Sequence, residues 1–160
     1  MTAPTSAGLL LHRGTADGLE VFLGRMGGPF WRRRPRAWSI PKGQHTVEEA
    51  PLDAAKREFE EEIGAPPPDT DYRLLGAYRQ GSGKIVTVFD GPGDDSVRFV
   101  ASNTFTLEWP RGSGRMREYP EIETARWMPL EQARVELVAG QVPALDALVA
   151  LVSGERASDS

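Results

Sequence analysis

Residues 51–68 hold the pattern that most narrows the folds open to this chain. Pro51 is a natural first residue of a helix, since its missing N–H would be unpaired there and its fixed φ is already helical. Gly64 suits the left-handed position just past a helix end, and Pro66-Pro67-Pro68 blocks continuation. The spacing therefore predicts a helix over 51–63. Leu52, Ala55, Phe59 and Ile63 form its apolar stripe. Thr46 with Glu49 offers a competing capping box, but that start would put Pro51 inside the helix and remove a hydrogen bond.

Glu58, Glu61 and Glu62 fall at i, i+3 and i+4 and share a second face of this helix. Like charges at that spacing destabilise a helix by about 0.2–0.5 kcal/mol per pair. A stable fold has little reason to stack them unless a positive group binds there. Hard divalent cations take carboxylate oxygens, and Mg²⁺ keeps waters and borrows phosphate oxygens. The face is thus a candidate metal site for a phosphorylated substrate, with a solvated acidic face as the alternative. Glu60 points away from it.

The longer run 43–65 resembles the signature of the Nudix hydrolases, G-x5-E-x7-R-E-U-x-E-E-x-G-U with U apolar; Gly43, Glu49, Arg57, Glu58, Phe59, Glu61, Glu62 and Gly64 are in register, and the smaller Ala65 closes it. The resemblance implies an α/β fold, the Nudix α/β/α sandwich with a mixed sheet and a catalytic loop–helix–loop. It implies Mg²⁺, with Mn²⁺ as a substitute, held by Glu58, Glu61, Glu62 and the Gly43 carbonyl. It implies that Glu49 and Arg57 pair to orient those ligands. Glu62, then Glu61, are the candidates for activating water. Three carboxylates on one helix cannot surround a metal–phosphate cluster, so a loop glutamate is expected opposite. Many Nudix enzymes carry an acid a few residues before the last strand, where this chain has Glu118, Glu121 and Glu123; Glu121 is the first choice and Glu118 the second.

Elsewhere, Ala7–His12 and Leu19–Arg25 read as a hairpin across a Gly/Asp turn. Strands are expected at 38–40, 72–80, 84–89, 103–109 and 124–128, and helices at 131–139 and 142–152, broken at Gly140. No linker divides the 160 residues, so one domain over 1–160 is expected, with 1–5 and 153–160 as mobile tails. Lysine occurs only at Lys42, Lys56 and Lys84. Lys42 follows Trp38-Ser39-Ile40-Pro41 and is a candidate phosphate contact. Tyr78, Arg79 and Lys84 flank Gly81-Ser82-Gly83 and are candidates for holding a base and phosphates, or are ordinary strand residues. Arg32, Arg33, Arg34 and Arg36 form a basic loop that either attracts polyphosphate or is simply solvated. Phe30 and Trp31 beside them either shield a base or pack on the sheet, with packing preferred. His12 and His45 are isolated, and His45 reads as a loop histidine.

There is no cysteine, which excludes disulfides, thiolate metal sites and thiol nucleophiles. A formal net charge of −4 implies no general attraction to nucleic acid or anionic membrane. No signal-like N-terminus and no apolar run of about 20 residues is present. A cytoplasmic protein acting on a small nucleotide, with no nucleic-acid polymer and no membrane partner, is the expectation; oligomeric state is left open. The function expected is Mg²⁺-dependent cleavage of a pyrophosphate bond in a nucleoside-diphosphate-linked compound, such as a nucleoside triphosphate or dinucleoside polyphosphate. Gln44 stands where dinucleoside tetraphosphate hydrolases often carry histidine. A non-catalytic Nudix module that senses a nucleotide is the alternative.

Overall fold

The structure, a computed structural model, describes residues 5–81 and 83–158, with side chains described as far as Gly154. Its spine is β1 (Thr5–Thr15), which pairs along one edge with β2 (Gly18–Met26) and, nearer its start, with β4 (Lys42–Gln44). Along the other edge β1 runs parallel to β6 (Ile85–Pro92), in register from Thr5↔Ile85 to His12↔Pro92. The antiparallel strand β5 (Arg73–Arg79) closes that side. The far side of β2 carries β9 (Ile122–Pro129), and a short β3 (Trp38–Ser39) continues its near edge. Among the described residues this makes one mixed sheet, while β7 (Thr104–Glu108) and β8 (Met116–Pro120) form a separate two-stranded hairpin.

The apolar pattern explains the layers. The Leu9-Leu10-Leu11 run is buried throughout because both faces of β1 are covered. Ala7, Leu9 and Leu11 meet one helix, α1 (Pro51–Ile63), through Ala54, Ala55, Phe59 and Ile63. Phe22 bridges this layer, its ring 6.2 Å from Phe59 and 5.5 Å from Trp127. Leu10, Val21, Leu23, Val86 and Val88 face the other way. They meet α2 (Leu130–Glu136) and α3 (Val142–Ser158) through Ala133, Leu145 and Leu148. The result is an α/β/α sandwich with a mixed central sheet.

Asp90 of β6 is buried without solvent contact and accepts hydrogen bonds from His12 Nε2 at 3.0 Å and Arg73 Nη2 at 2.9 Å. Burial alone would raise its carboxyl, but these two partners hold it below the ordinary aspartate range. The cluster ties β1, β5 and β6 together.

Several elements differ from their sequence reading. The strand expected at 124–128 begins at Ile122 and reaches Pro129, and the one at 84–89 continues to Pro92. β4 and β8 carry no apolar alternation of their own and were not anticipated. Of the tails expected to be mobile, Thr5 opens β1 and 153–158 continue α3, whereas 1–4 and 159–160 lie outside the described residues, as does Ser82 of the Gly81–Gly83 turn.

Candidate active site

The acidic helix is built by its ends. Ala50 offers no side-chain cap, Pro51 begins the first turn, and Gly64 at φ 88° returns its N–H to the Glu60 carbonyl at 2.8 Å. Two of the C-terminal carbonyls that a helix leaves unpaired are taken by an incoming segment. Val100 and Ala101 donate to Ile63 O at 2.8 and 3.2 Å, and Asn103 N donates to Glu61 O at 2.8 Å.

That segment also sets the opposite wall. Glu121 N donates to Asn103 O at 2.8 Å, Ile122 N to Ser102 Oγ at 3.0 Å, and Gly27 N to Glu121 O at 2.9 Å. Glu121 is thereby strapped between the end of α1 and the turn after β2, and its charge acts on Glu62. Glu118 lies exposed on β8, and Glu123 is tied to Arg25 at 2.8 Å. Of the three loop glutamates, Glu121 is the one whose charge raises Glu62.

The loop before the helix comes in from β3. Gln141, buried in a 3₁₀ turn at Ala139–Gln141, accepts from Ile40 N at 2.9 Å and donates to Ser39 Oγ at 3.1 Å. This fixes the strand that leads into Pro41, Lys42 and Gly43. Lys42 N donates to Glu62 Oε1 at 3.0 Å. Gly43 packs on Glu58 so closely that a Cβ there would overlap the Glu58 carboxylate, so a larger residue would have to displace that carboxylate from Arg57.

Arg57 organises the acids. It donates from Nε and Nη2 to the two oxygens of Glu49, both at 2.9 Å, the bidentate geometry suited to guanidinium and carboxylate. Its Nη1 reaches Glu58 at 2.8 Å and Glu61 at 3.2 Å, and Nη2 also reaches Gln44 O at 3.2 Å. Glu49 is held below the usual carboxylate range by the Arg57 hydrogen bonds. Glu58 is raised, chiefly by burial, with Arg57 opposing. Glu62 is pushed up to about 8: it keeps some solvent access but sits deep in the protein mass, and the charges of Glu58 and Glu121 add to the burial that Lys42 opposes.

The donor set around Gly43 is all oxygen, which suits a hard cation. Among the described residues no three acidic or imidazole side chains converge into a ready cage. Arg57 occupies the cationic position between Glu58 and Glu61. A partial oxygen set of this kind fits an ion such as Mg²⁺, which completes its shell with water and substrate phosphate.

Lys42 and Lys84 line a cavity of about 490 Å³ together with Ser39, Gln80 and Gln141. Tyr78 and Arg79 do not line it. Tyr78 packs against the α3-side core, its hydroxyl raised by burial, and Arg79 is exposed. His12 is committed to Asp90, and His45 Nδ1 donates to Thr46 O at 2.8 Å. Ser102, Asn103, Gly27 and Gln141, which place the walls, gave no signal in the sequence because each meets a backbone group distant in the chain.

The chain matches the NUDIX domain over residues 3–148. An mRNA-decapping protein, g5R, of African swine fever virus is 32% identical over 101 residues, covering 61% of this chain. The chain spans only 39% of that relative's length. Among solved structures, a C. elegans Ap4A hydrolase in a binary complex superimposes with a TM-score of 0.64 at 20% identity, covering 95% of this chain and 99% of that one. The NUDIX domain of Shewanella oneidensis NrtR complexed with ADP-ribose gives 0.63 at 12% identity, covering 95% and 90%. Both likenesses show the α/β/α fold; the domain match over nearly the whole chain shows more, and the protein belongs to the Nudix family, whose loop–helix–loop signature residues 43–65 carry.

Proposed function

We propose that the protein is a Mg²⁺-dependent pyrophosphohydrolase that cleaves a phosphoanhydride bond in a nucleoside-diphosphate-linked compound, a nucleoside triphosphate or a dinucleoside polyphosphate. The observation that carries this reading is the Gly43–Glu62 assembly: Lys42 N donates to Glu62 Oε1 at 3.0 Å, Gly43 packs on Glu58, and Arg57 gathers Glu49, Glu58 and Glu61. Glu58, Glu61 and Glu62, with the Gly43 carbonyl, are the residues that would hold the cation. When bound, Mg²⁺ supplies charge neutralisation at phosphoryl oxygens and acidifies water. Phosphoryl transfer needs mainly such positioning and neutralisation.

The chain's own groups do the rest. Arg57 holds Glu58 and Glu61, and Glu62 is held instead by the Lys42 N–H. Glu62 is the general base, sharing with Glu121 the task of orienting a water. The Lys42 N–H fixes one Glu62 oxygen, so the other is aimed rather than free to rotate. Lys42 and Lys84 draw the phosphates. Ap4A and an mRNA cap, the targets named for two of the relatives, are both pyrophosphate-linked nucleotides and define the range to screen.

The test is a hydrolysis screen with Mg²⁺ or Mn²⁺ over nucleoside triphosphates, dinucleoside polyphosphates, nucleotide sugars and a capped RNA. Cleavage of at least one nucleotide, abolished by excess chelator, is expected. Turnover that survives excess chelator, or cleavage of none of these compounds, overturns the reading.

A further inference from the structure

Arginine is unevenly distributed along the chain. Residues 27–47 carry Arg32, Arg33, Arg34, Arg36 and Lys42 and no aspartate or glutamate. Residues 109–117 carry Arg111, Arg115 and Arg117, again with no acid. The net charge of −4 therefore hides two strongly cationic segments, and the local field, not the average, decides what a surface attracts. Among the described residues the arginines that form ion pairs are Arg13, Arg25, Arg57, Arg73, Arg126 and Arg134. None of these lies in 32–36 or 111–117, and every arginine of those two runs is exposed.

The fold brings the two runs together. Gly27 lies so close to Pro120 that a Cβ there would overlap the Pro120 carbonyl oxygen, and a Cβ on Gly28, at φ 91°, would come 2.8 Å from the Phe105 ring. The turn after β2 is thus seated on the β7–β8 hairpin. Between them opens an aromatic cavity of about 410 Å³, with Phe30 and Trp31 on one side and Phe105 and Trp109 on the other. Arg34 lies over Phe30, 3.8 Å from the ring centre, and Arg111 lines the same cavity from the hairpin side. Arg117 pairs with Leu107, a cavity residue, so strand alternation sets it on the face that carries Phe105. The two arginine runs are opposite rims of one opening.

The rims are anchored by groups other than their outermost guanidiniums. Arg25, neutralised by Glu123 at 2.8 Å, donates from Nη2 to Arg32 O at 3.3 Å. Arg36, at φ 53°, donates to the carbonyls of Arg134 and Leu137 at 3.0 and 2.8 Å. Across the opening, Trp109 N donates to Arg115 O at 3.0 Å and Gly112 N to Glu108 at 2.6 Å. Among the described residues, the side chains of Arg32, Arg33, Arg111, Arg115 and Arg117 make no hydrogen bond or ion pair. They repel one another, and the fold offers them no acid in return.

Both runs use arginine and no lysine. A guanidinium is planar and weakly hydrated, and it forks onto phosphate oxygens. Two cationic rims across a concave opening suit a narrow, flexible chain with a charge on every unit; a flat bilayer or a stiff duplex would bridge the opening instead of following it. We propose that residues 32–36 and 111–117 form a binding surface for single-stranded nucleic acid, gripping successive phosphates of its backbone. The cations engaged are not those beside Glu62, and binding needs no turnover, so the surface stands whether or not the hydrolysis proposed above is found.

The test is a fluorescence-anisotropy titration of a labelled single strand of about 12 nucleotides with the full chain, in excess chelator and at rising salt. The logarithm of the affinity should fall linearly with that of the salt concentration. Arg32→Ala/Arg33→Ala and Arg111→Ala/Arg117→Ala should each weaken binding about tenfold and reduce the slope by about 1.4, which is about 0.7 for each cation removed. Arg79→Ala/Arg98→Ala takes the same charge from exposed positions outside both runs and should change the affinity by less than about twofold, and circular dichroism checks that all three variants fold. No binding by wild type at low salt overturns the proposal, as does equal weakening in the control and the rim variants. So does displacement of the strand by polyglutamate or inorganic polyphosphate of equal charge as readily as by unlabelled strand, or binding of a duplex as tight as that of the single strand.

Discussion

On the proposed reading, a cation binding at Glu62 displaces a proton from it. With its carboxyl raised to about 8, it is largely neutral at pH 7 in the metal-free protein. Mg²⁺ binding at pH 7 is therefore expected to release close to one proton, and the affinity to climb with pH and level off above about 8. Calorimetric titration in buffers of differing ionisation enthalpy measures the release, and Glu62→Gln should abolish it. The same shift sets a stability trend. A carboxyl whose folded pKa exceeds its unfolded value stabilises the fold below the unfolded pKa, and that contribution is lost as pH rises through the folded one. Metal-free wild type should thus lose melting temperature between about pH 5 and 8, and Glu62→Gln should flatten the slope. In the metal-loaded enzyme Glu62→Gln should fold normally and lose about 10²–10³ in kcat; near-wild-type turnover would remove Glu62 from the chemistry. The position of Glu62 is legible from helical spacing alone. Its proton is not, because the burial that raises it arises only once the chain has folded around α1.

At the scale of elements, the loop that carries Lys42 is only as well placed as β3, and β3 depends on Gln141. Gln141→Leu keeps the volume but strips the Ile40 N–H and Ser39 hydroxyl of their buried partner. An unsatisfied buried group costs about 1–3 kcal/mol. A lowered denaturant midpoint at unchanged m-value is expected, with a raised KM as Lys42 loosens; an unchanged KM would separate the strand from the site. No sequence pattern announces this contact, since a lone glutamine after Gly140 has nothing nearby to pair with. The contrast with α1 is instructive. Pro51, Gly64 and the Leu52–Ile63 stripe are local, so the helix could be read to its ends. β4 exists only because β1 offers it an edge, and β8 is exposed along most of its length, so neither leaves a period to find. The strap from Asn103 to Glu121 is likewise backbone-made, so a loop glutamate could be anticipated without its mounting.

For the molecule as a whole, β1 is the member that every layer uses, and Asp90 fastens it to β6 and β5. Asp90→Asn leaves His12 and Arg73 facing a neutral amide at a buried site, a change expected to cost about 3 kcal/mol. The depressed carboxyl stabilises the fold above the ordinary aspartate range, and that contribution is lost as pH falls through its folded value. The stability curves of wild type and Asp90→Asn, followed by urea unfolding, should therefore converge on acidification; a gap that persists in acid would assign the loss to packing instead. The sandwich was implied by the signature in residues 43–65, while the β7–β8 hairpin needed the folded chain. Met26, Phe30 and Trp31 line both the lysine-bearing and the aromatic cavity. They form a party wall, so a substitution that widens one room narrows the other. A substitution at any of the three is expected to alter both cavities, so changes of ligand preference should arise as paired substitutions whose separate effects do not add.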